Sequence, residues 1–116
     1  MDTQTIERTT LSNLIYNENY ARKVLPFIKG KYFEVREERI IFEEISNFVD
    51  KYKKIPTQTS LEIEVGERKD LSEIEYKKVV DIIKTLNPVE VDFDWLVDHT
   101  EKFCKGKAIH NAIVDG

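Results

Sequence analysis

Apolar residues in this sequence recur mostly every three to five positions, the spacing that places side chains on one side of an α-helix. The clearest example runs from about Glu34 to Lys53. Its apolar side is formed by Ile41, Phe42, Ile45, Phe48, Val49 and Tyr52. Acidic residues lie mostly on the opposite side. A helix of this kind buries one face and exposes the other, so the pattern predicts a domain built from packed helices.

Shorter stretches of the same period predict further helices over about residues 6–15, 20–25 and 72–86, and from about residue 93 onwards. Ser72 and Glu75 have the spacing of a capping box, in which each side chain binds the backbone N–H of the other residue. Asp92 and Asp94 are both placed to cap the last helix, because an aspartate side chain readily accepts hydrogen bonds from the first free N–H groups of a helix.

Two short segments follow a different period. Residues 61–65 and 89–93 alternate between apolar and acidic positions, as a half-buried strand does. The first of these segments is also short enough to be a helical turn, with Thr59 or Ser60 as its cap. We therefore predict a single all-α domain. The alternative is a small α+β domain in which residues 61–65 and 89–93 pair as a short hairpin.

Composition supports one globular domain and sets limits on its function. The chain has 116 residues, of which 41% are hydrophobic, and this suits one core. Its net charge of −4 argues against broad binding to nucleic acid through charge alone. Cys104 is the only cysteine, so no internal disulfide is possible, which fits a reducing cytosol. No apolar run approaches the roughly 20 residues that a membrane span needs, so no membrane partner is expected.

The sequence contains no recognisable catalytic motif. Lys105-Gly106-Lys107 is the nearest approach to a phosphate-binding loop, but it lacks the upstream glycine and the hydroxyl residue. His99 and His110 lie eleven positions apart, roughly 16 Å along a helix, so one metal ion cannot bridge them. We predict no catalytic, cofactor-binding or metal-binding residue in this chain.

Two groups of residues remain as candidate binding sites. The first is the apolar stripe of the last helix, which persists almost to the chain end and consists of Trp95, Phe103, Ile109 and Ile113. It is a candidate protein interface, although core packing explains Trp95 and Phe103 equally well. The second is the basic cluster, which we define as Lys51, Lys53 and Lys54. It is a candidate for weak DNA contact, although its place after a helix also suits the helix dipole.

Three stretches, in this order and at these spacings, resemble a known family. They are residues 14–26 (LIYNENYARKVLP) continuing to 32–34, residues 48–56 (FVDKYKKIP) continuing to Leu61, and residues 94–103 (DWLVDHTEKF) with Ala108, Asn111 and Ala112. Together they resemble the amino-terminal domain of DnaB-like hexameric replicative helicases, in particular those of T-even-type bacteriophages. The resemblance covers about residues 11–114.

The resemblance implies a particular division of the chain. Residues 11–92 would form a compact helical bundle, and residues 93–116 would begin a helical hairpin. Residues 1–10 look like a polar extension ahead of the usual family start. The segment 61–65 would then be a short helix. The motor domain, with its P-loop and its ATP and Mg²⁺, would lie beyond Gly116, so the chain looks like part of a longer protein.

The function implied by the resemblance is assembly rather than catalysis. Amino-terminal domains of the family form a collar on the hexameric motor ring, help to assemble the ring and provide docking surfaces for primase and the helicase loader. The expected partners are therefore other helicase subunits, primase and loader, with DNA contacted only indirectly or weakly. The expected location is the cytoplasm of an infected bacterial host. The alternative is a free-standing small helical adaptor or regulatory protein of a phage.

Overall fold

The computed structural model describes residues 3–115, which form six α-helices and two short 3₁₀ turns. The helices are α1 (Thr3–Tyr16), α2 (Glu18–Val24), α3 (Arg36–Tyr52), α4 (Gln58–Gly66), α5 (Glu73–Thr85) and α6 (Phe93–Asp115). The 3₁₀ turns, Leu25–Phe27 and Gly30–Tyr32, connect α2 to α3. These residues include no β-strand, so the all-α prediction is confirmed.

The alternative of a strand pair was wrong, because residues 61–65 lie within α4 and residues 89–92 lie outside any regular element. A capping box opens α4: Thr57 Oγ1 accepts from the Ser60 N–H at 3.1 Å, and Ser60 Oγ accepts from the Thr57 N–H at 2.8 Å. The cap is therefore Thr57 rather than Thr59 or Ser60. Leu61 and Val65 are buried one helical turn apart, whereas Ile63 is 57% exposed.

The predicted Ser72–Glu75 capping box is confirmed, and of the two aspartates considered for α6 the cap is Asp92 and not Asp94. The Glu75 N–H donates to Ser72 Oγ at 3.1 Å, and Glu75 Oε1 accepts in return from the Ser72 N–H at 3.0 Å. Asp92 caps α6, since its Oδ2 accepts from the Trp95 N–H at 2.9 Å. These caps fix where α5 and α6 begin.

Helix α3 lies at the centre of the bundle and packs against α1, α4 and α5. Helix α6 covers another side by packing on α1, α2 and the second 3₁₀ turn. The largest fully buried apolar side chains are Leu11, Leu14, Tyr20, Phe33, Ile41, Ile45, Leu61, Ile83, Leu86 and Leu96. A hydrogen bond of 2.6 Å between the hydroxyls of Tyr20 and Thr100 ties α2 to α6 inside this core.

The described part of the predicted extension, from Thr3 to residue 10, belongs to α1. Helix α1 runs through residue 10, and Ile6, Glu7 and Thr10 are buried. The part of α1 from Ile6 onwards therefore packs on the bundle. Met1, Asp2 and Gly116, which the sequence analysis assigned to the two ends of the chain, lie outside the described residues.

Candidate interaction surface

Helix α6 is held on the bundle by one side of its first four turns. Leu96, Val97, Thr100 and Cys104 are buried there, at positions that share one side of a helix. Burial raises the pKa of the Cys104 thiol to about 12, so this cysteine stays protonated and is a poor nucleophile. This side of α6 is structural.

Three further contacts anchor α6 near its middle. The Phe103 ring lies 6.1 Å from that of Phe33, which in turn stacks on Phe42 of α3 at 5.3 Å. Lys107 forms an ion pair with Glu34. Further along, Asn111 Nδ2 donates to the Lys31 carbonyl at 3.5 Å. These contacts reach α6 as far as residue 111.

The opposite side of α6 carries large apolar residues that are exposed. Trp95 is 36% exposed, Ile109 62% and Ile113 75%. At about 100° per residue, these three side chains point within about 40° of one another. We call these three residues the outer surface of α6. Lys102, which is also exposed, lies between Trp95 and Ile109 in the same direction.

The last turn of α6 projects beyond the bundle. Val114 comes 18 residues after Leu96, which is five whole turns, so the two residues face the same direction. Leu96 is 1% exposed, whereas Val114 is 67% exposed. The last turn is therefore uncovered even on the side that faces the bundle earlier in the helix.

Three of the four residues predicted as a protein interface lie on the outer surface of α6, and the fourth does not. Trp95, Ile109 and Ile113 share the outer surface, where Trp95 stacks on His99 with ring centroids 4.0 Å apart. Phe103 points about 80° away from Trp95 and is half-buried against Phe33. The structure brings three of the candidates together and uses the fourth to attach the helix.

The basic cluster lies at the end of α3, and its three lysines are exposed. Lys53 adopts a left-handed conformation with φ 59°, and its Nζ donates to the Asp50 carbonyl at 2.7 Å. Lys53 and Lys54 line a cavity of about 260 Å³, and Glu18 and Asp50 line it too. These carboxylates partly offset the positive charge of the cluster.

A pair of buried acids was missed by the sequence analysis. Glu7 and Glu38 are 2% and 0% exposed, and they join α1 to α3. Arg8 Nε donates to Glu38 Oε1 at 2.6 Å, and the Glu34 N–H donates to Glu7 Oε1 at 3.3 Å. Burial, together with the neighbouring carboxyl group of Glu38, raises the pKa of Glu7 to about 7.

A signal for these acids was present in the helical spacing. Glu7 lies four positions before Leu11, and Glu38 lies three before Ile41. Both acids therefore occupy the buried stripes of their helices, where an apolar residue is normally found.

The described part of the chain has neither a group of metal-binding side chains nor a helix suited to span a membrane. Within residues 3–115, no three or more His, Cys, Asp and Glu side chains are grouped so that they could hold a metal ion. In the same range, no helix combines the length and the apolar content that crossing a bilayer requires.

Six helices around one core, with the last helix only partly covered, define a small all-α domain. The chain belongs to the family of DnaB-like helicase N-terminal domains, whose family model matches residues 2–98. It is also 33% identical over 102 residues to the DnaB-like replicative helicase of Enterobacteria phage T4. That alignment covers 88% of this chain and 21% of the T4 protein, so the chain spans about a fifth of this relative's length.

Both comparisons confirm the resemblance that the three sequence stretches indicated. The family match ends at residue 98, in the second turn of α6. Phe103, Ile109 and Ile113 therefore lie beyond it, and their role depends on their own geometry.

Proposed function

We propose that this domain is the amino-terminal collar and protein-interaction domain of a phage replicative DNA helicase, and that it supports assembly of the hexameric ring. In this proposal α6 is the first arm of the helical hairpin, and its outer surface packs against another subunit. The observation that carries the proposal is the exposed apolar side of α6 in a member of this helicase family.

The energetics favour an occupant for this surface. Covering exposed apolar area contributes roughly 25 cal/mol per Å² to association. Ile109 and Ile113 are among the most exposed large apolar residues of the chain, and Trp95 extends the same surface over four to five turns. Phe103 contributes indirectly in this account, since it fixes the orientation of the helix that carries the surface.

The outer surface can be tested on the chain itself by sedimentation velocity over a wide concentration range. We expect monomers in equilibrium with dimers, because residues 1–116 supply one arm of the proposed hairpin. Ile109→Ser with Ile113→Ser should weaken the dimer at least tenfold, which corresponds to about 1.4 kcal/mol.

The matched control is Ile63→Ser with Ile74→Ser, since these isoleucines are 57% and 70% exposed on other helices. The control should leave the dimer unchanged. Equal weakening by both pairs, or a stable hexamer of the isolated chain, would contradict the proposal.

Primase and the helicase loader are the proposed docking partners of the collar. Calorimetric titration of the chain with each protein from the same phage tests this directly. Saturable binding supports the proposal, whereas binding only by a longer helicase subunit places the docking surface outside residues 1–116.

ATP hydrolysis is proposed to belong to a separate motor domain of the same protein, which would hold ATP and Mg²⁺. The purified chain should therefore show no ATPase activity above its background. A reading frame that continues past Gly116 into a P-loop supports the proposal, and a stop codon at that point favours the free-standing adaptor. We further propose that the protein acts in the cytoplasm of the infected bacterium.

DNA contact is proposed to be weak and to involve the basic cluster. We expect the chain to bind DNA with a dissociation constant weaker than about 10⁻⁴ M at physiological salt. Replacing all three lysines of the cluster by glutamine should flatten the salt dependence of fluorescence anisotropy titrations, by about 0.9 in slope per lost phosphate contact.

Three exposed lysines of α5 provide the control substitutions: Lys77→Gln, Lys78→Gln and Lys84→Gln. These should leave the slope unchanged. If the slope is the same with and without the basic cluster, the cluster has no role in DNA contact.

A further inference from the structure

Gly106 lies in the interior of α6, where a glycine lowers the stability of the helix. Compared with alanine, glycine leaves the unfolded backbone freer, so the helix is harder to form. In the part of the chain that the structure describes, a Cβ added at Gly106 would meet no atom within 4 Å. Packing inside this domain therefore does not require a glycine here. A helical glycine that its own domain does not need is suited to the close approach of a second molecule.

Gly106 faces nearly the same direction as the outer surface of α6. It follows Trp95 by eleven residues, which is about 20° more than three full turns and roughly 16 Å along the helix axis. Lys102 and His110 stand one turn to either side of Gly106, and the three residues line a cavity of about 350 Å³. We call this gap at Gly106 the glycine notch. The outer surface therefore has a large aromatic ring near its beginning and a gap three turns further on.

Charges are distributed unevenly along α6. Residues 93–101 contain three acids and no lysine or arginine, whereas residues 102–114 contain three lysines and no acid. Asp98, Lys102 and Lys105 are exposed, and no ion pair within the described residues involves them. Two α6 helices laid antiparallel therefore place acids opposite lysines. Two helices laid parallel and in register place like charges opposite each other, which is unfavourable.

We propose that the outer surface of α6 pairs with that of a second copy of this chain, antiparallel and around a two-fold axis, so that each Trp95 ring fills the glycine notch of the other copy. This inference rests on the assembly role proposed above, and it specifies the direction and the register of the contact. Because the pair is two-fold, each contact occurs twice. A parallel pair in register sets Trp95 against Trp95 and leaves both notches empty.

The same register brings the unpaired charges together. With Trp95 in the glycine notch, the acidic half of each α6 lies against the basic half of the other. Asp98 then lies within about 3 Å, measured along the helix axis, of Lys102 and of Lys105 of the second copy. Ile109 lies opposite the N-terminal end of the second α6. One arrangement thus fills the notch and pairs charges that have no partner within the domain.

Filling the notch tests the pairing. In sedimentation velocity, Gly106→Leu should weaken the dimer at least about tenfold, because the new side chain occupies the position of the Trp95 ring. Circular dichroism at a concentration where the chain is monomeric should show a melting temperature about 4 °C higher, since leucine favours the helix and meets nothing within the domain. Weaker association together with higher monomer stability distinguishes a lost contact from lost folding.

The matched control is Ala108→Leu, which adds bulk at another exposed position of α6. Ala108 points about 160° away from Gly106, so this variant should dimerise as the parent chain does. Equal weakening by the two leucine variants, or a dimer that Gly106→Leu leaves intact, would overturn the pairing.

Charge reversal tests the direction of the helices. Asp98→Lys should weaken the dimer about tenfold, and so should Lys102→Asp with Lys105→Asp, because each change sets like charges together. All three substitutions in one chain should restore the dimer, since opposite charges then meet again. In a parallel pair Asp98 faces its own copy, so Asp98→Lys would leave the dimer unchanged. That result would overturn the antiparallel arrangement.

The Ile109→Ser with Ile113→Ser variant separates this pairing from the assembly role on which it rests. If this variant weakens the dimer whereas Gly106→Leu and the charge reversals do not, the outer surface joins subunits in another register and the pairing is wrong. A chain that stays monomeric at every concentration contradicts both the pairing and the assembly role.

Discussion

Replacing Glu7 by glutamine is expected to stabilise the domain by about 2–3 kcal/mol above pH 7 and to have little effect near pH 4.5. The reason is the burial of Glu7 beside Glu38, which raises the pKa of Glu7 from 4.5 to about 7. Glutamine resembles the protonated acid in shape and can donate a hydrogen bond to Glu38. Glu38 Oε2 is buried and has no partner among the described residues.

The sign of this stability change follows from whether Glu7 is protonated in the folded and in the unfolded chain at each pH. Below about pH 4.5 Glu7 is protonated in both the folded and the unfolded chain, so it imposes no penalty. Between 4.5 and 7 the unfolded chain loses this proton first, and stability falls as pH rises. Above 7 Glu7 is ionised in both states and the penalty is complete. Lys107 partly compensates it, and Arg8 is held by Glu38 on the neighbouring helix.

Urea unfolding of the parent chain and of Glu7→Gln at about pH 4.5 and about pH 8 measures this difference. The exposed Glu67→Gln variant is the control and should shift stability by less than about 0.5 kcal/mol at either pH. Subtracting the free energy of unfolding of the parent chain from that of the variant at each pH cancels the contributions of the other carboxyl groups. A stability difference that is the same at both pH values would show that Glu7 does not carry a raised pKa.

Replacing Phe33 by alanine should destabilise the domain by about 3–5 kcal/mol, because it leaves a cavity between α3 and α6. Phe33 is 0% exposed and contacts both Phe42 and Phe103. Phe103→Ala removes one side of this aromatic cluster and should cost about half as much. Both substitutions are expected to weaken the attachment of α6 more than the rest of the bundle. Hydrogen exchange of residues 101–114 should therefore become faster in both variants.

Phe33→Leu guards against complete unfolding, since it keeps most of the side-chain volume and should cost no more than about 1.5 kcal/mol. Phe93→Ala is the exposed control and should change stability by less than about 1 kcal/mol. If Phe33→Ala is no less stable than Phe93→Ala, the cluster does not hold α6 on the bundle.

Most of the fold could be predicted because the buried apolar residues of a helix recur at helical spacing in the sequence. The stripe from Ile41 to Tyr52 predicted α3, and the Ser72–Glu75 capping box located the start of α5. Helix α4 was ambiguous. Leu61 and Val65 are one helical turn apart, but the exposed Ile63 between them also completes a two-residue alternation. Only the Thr57–Ser60 cap and the packing of α4 against α3 and α5 distinguish these cases.

The candidate site was only partly predictable. Sequence spacing grouped Trp95 and Phe103, which differ by about 80° around a helix. Which of them is buried depends on Phe33, which lies on a separate connecting segment. Spacing also placed Glu7 and Glu38 on the buried stripes of their helices, but whether the two acids meet depends on how α1 packs against α3. Contacts between segments that are distant in the sequence therefore determine both the burial of Phe103 and the pairing of the two acids.

We propose that the outer surface of α6 joins neighbouring subunits in a helicase ring. Native mass spectrometry of the longer helicase subunit proposed above, with this domain ahead of a motor domain, is the most direct test. We expect hexamers for the parent protein and for Ile63→Ser with Ile74→Ser, and a shift to smaller species for Ile109→Ser with Ile113→Ser. Hexamers of undiminished abundance in the last variant would contradict it.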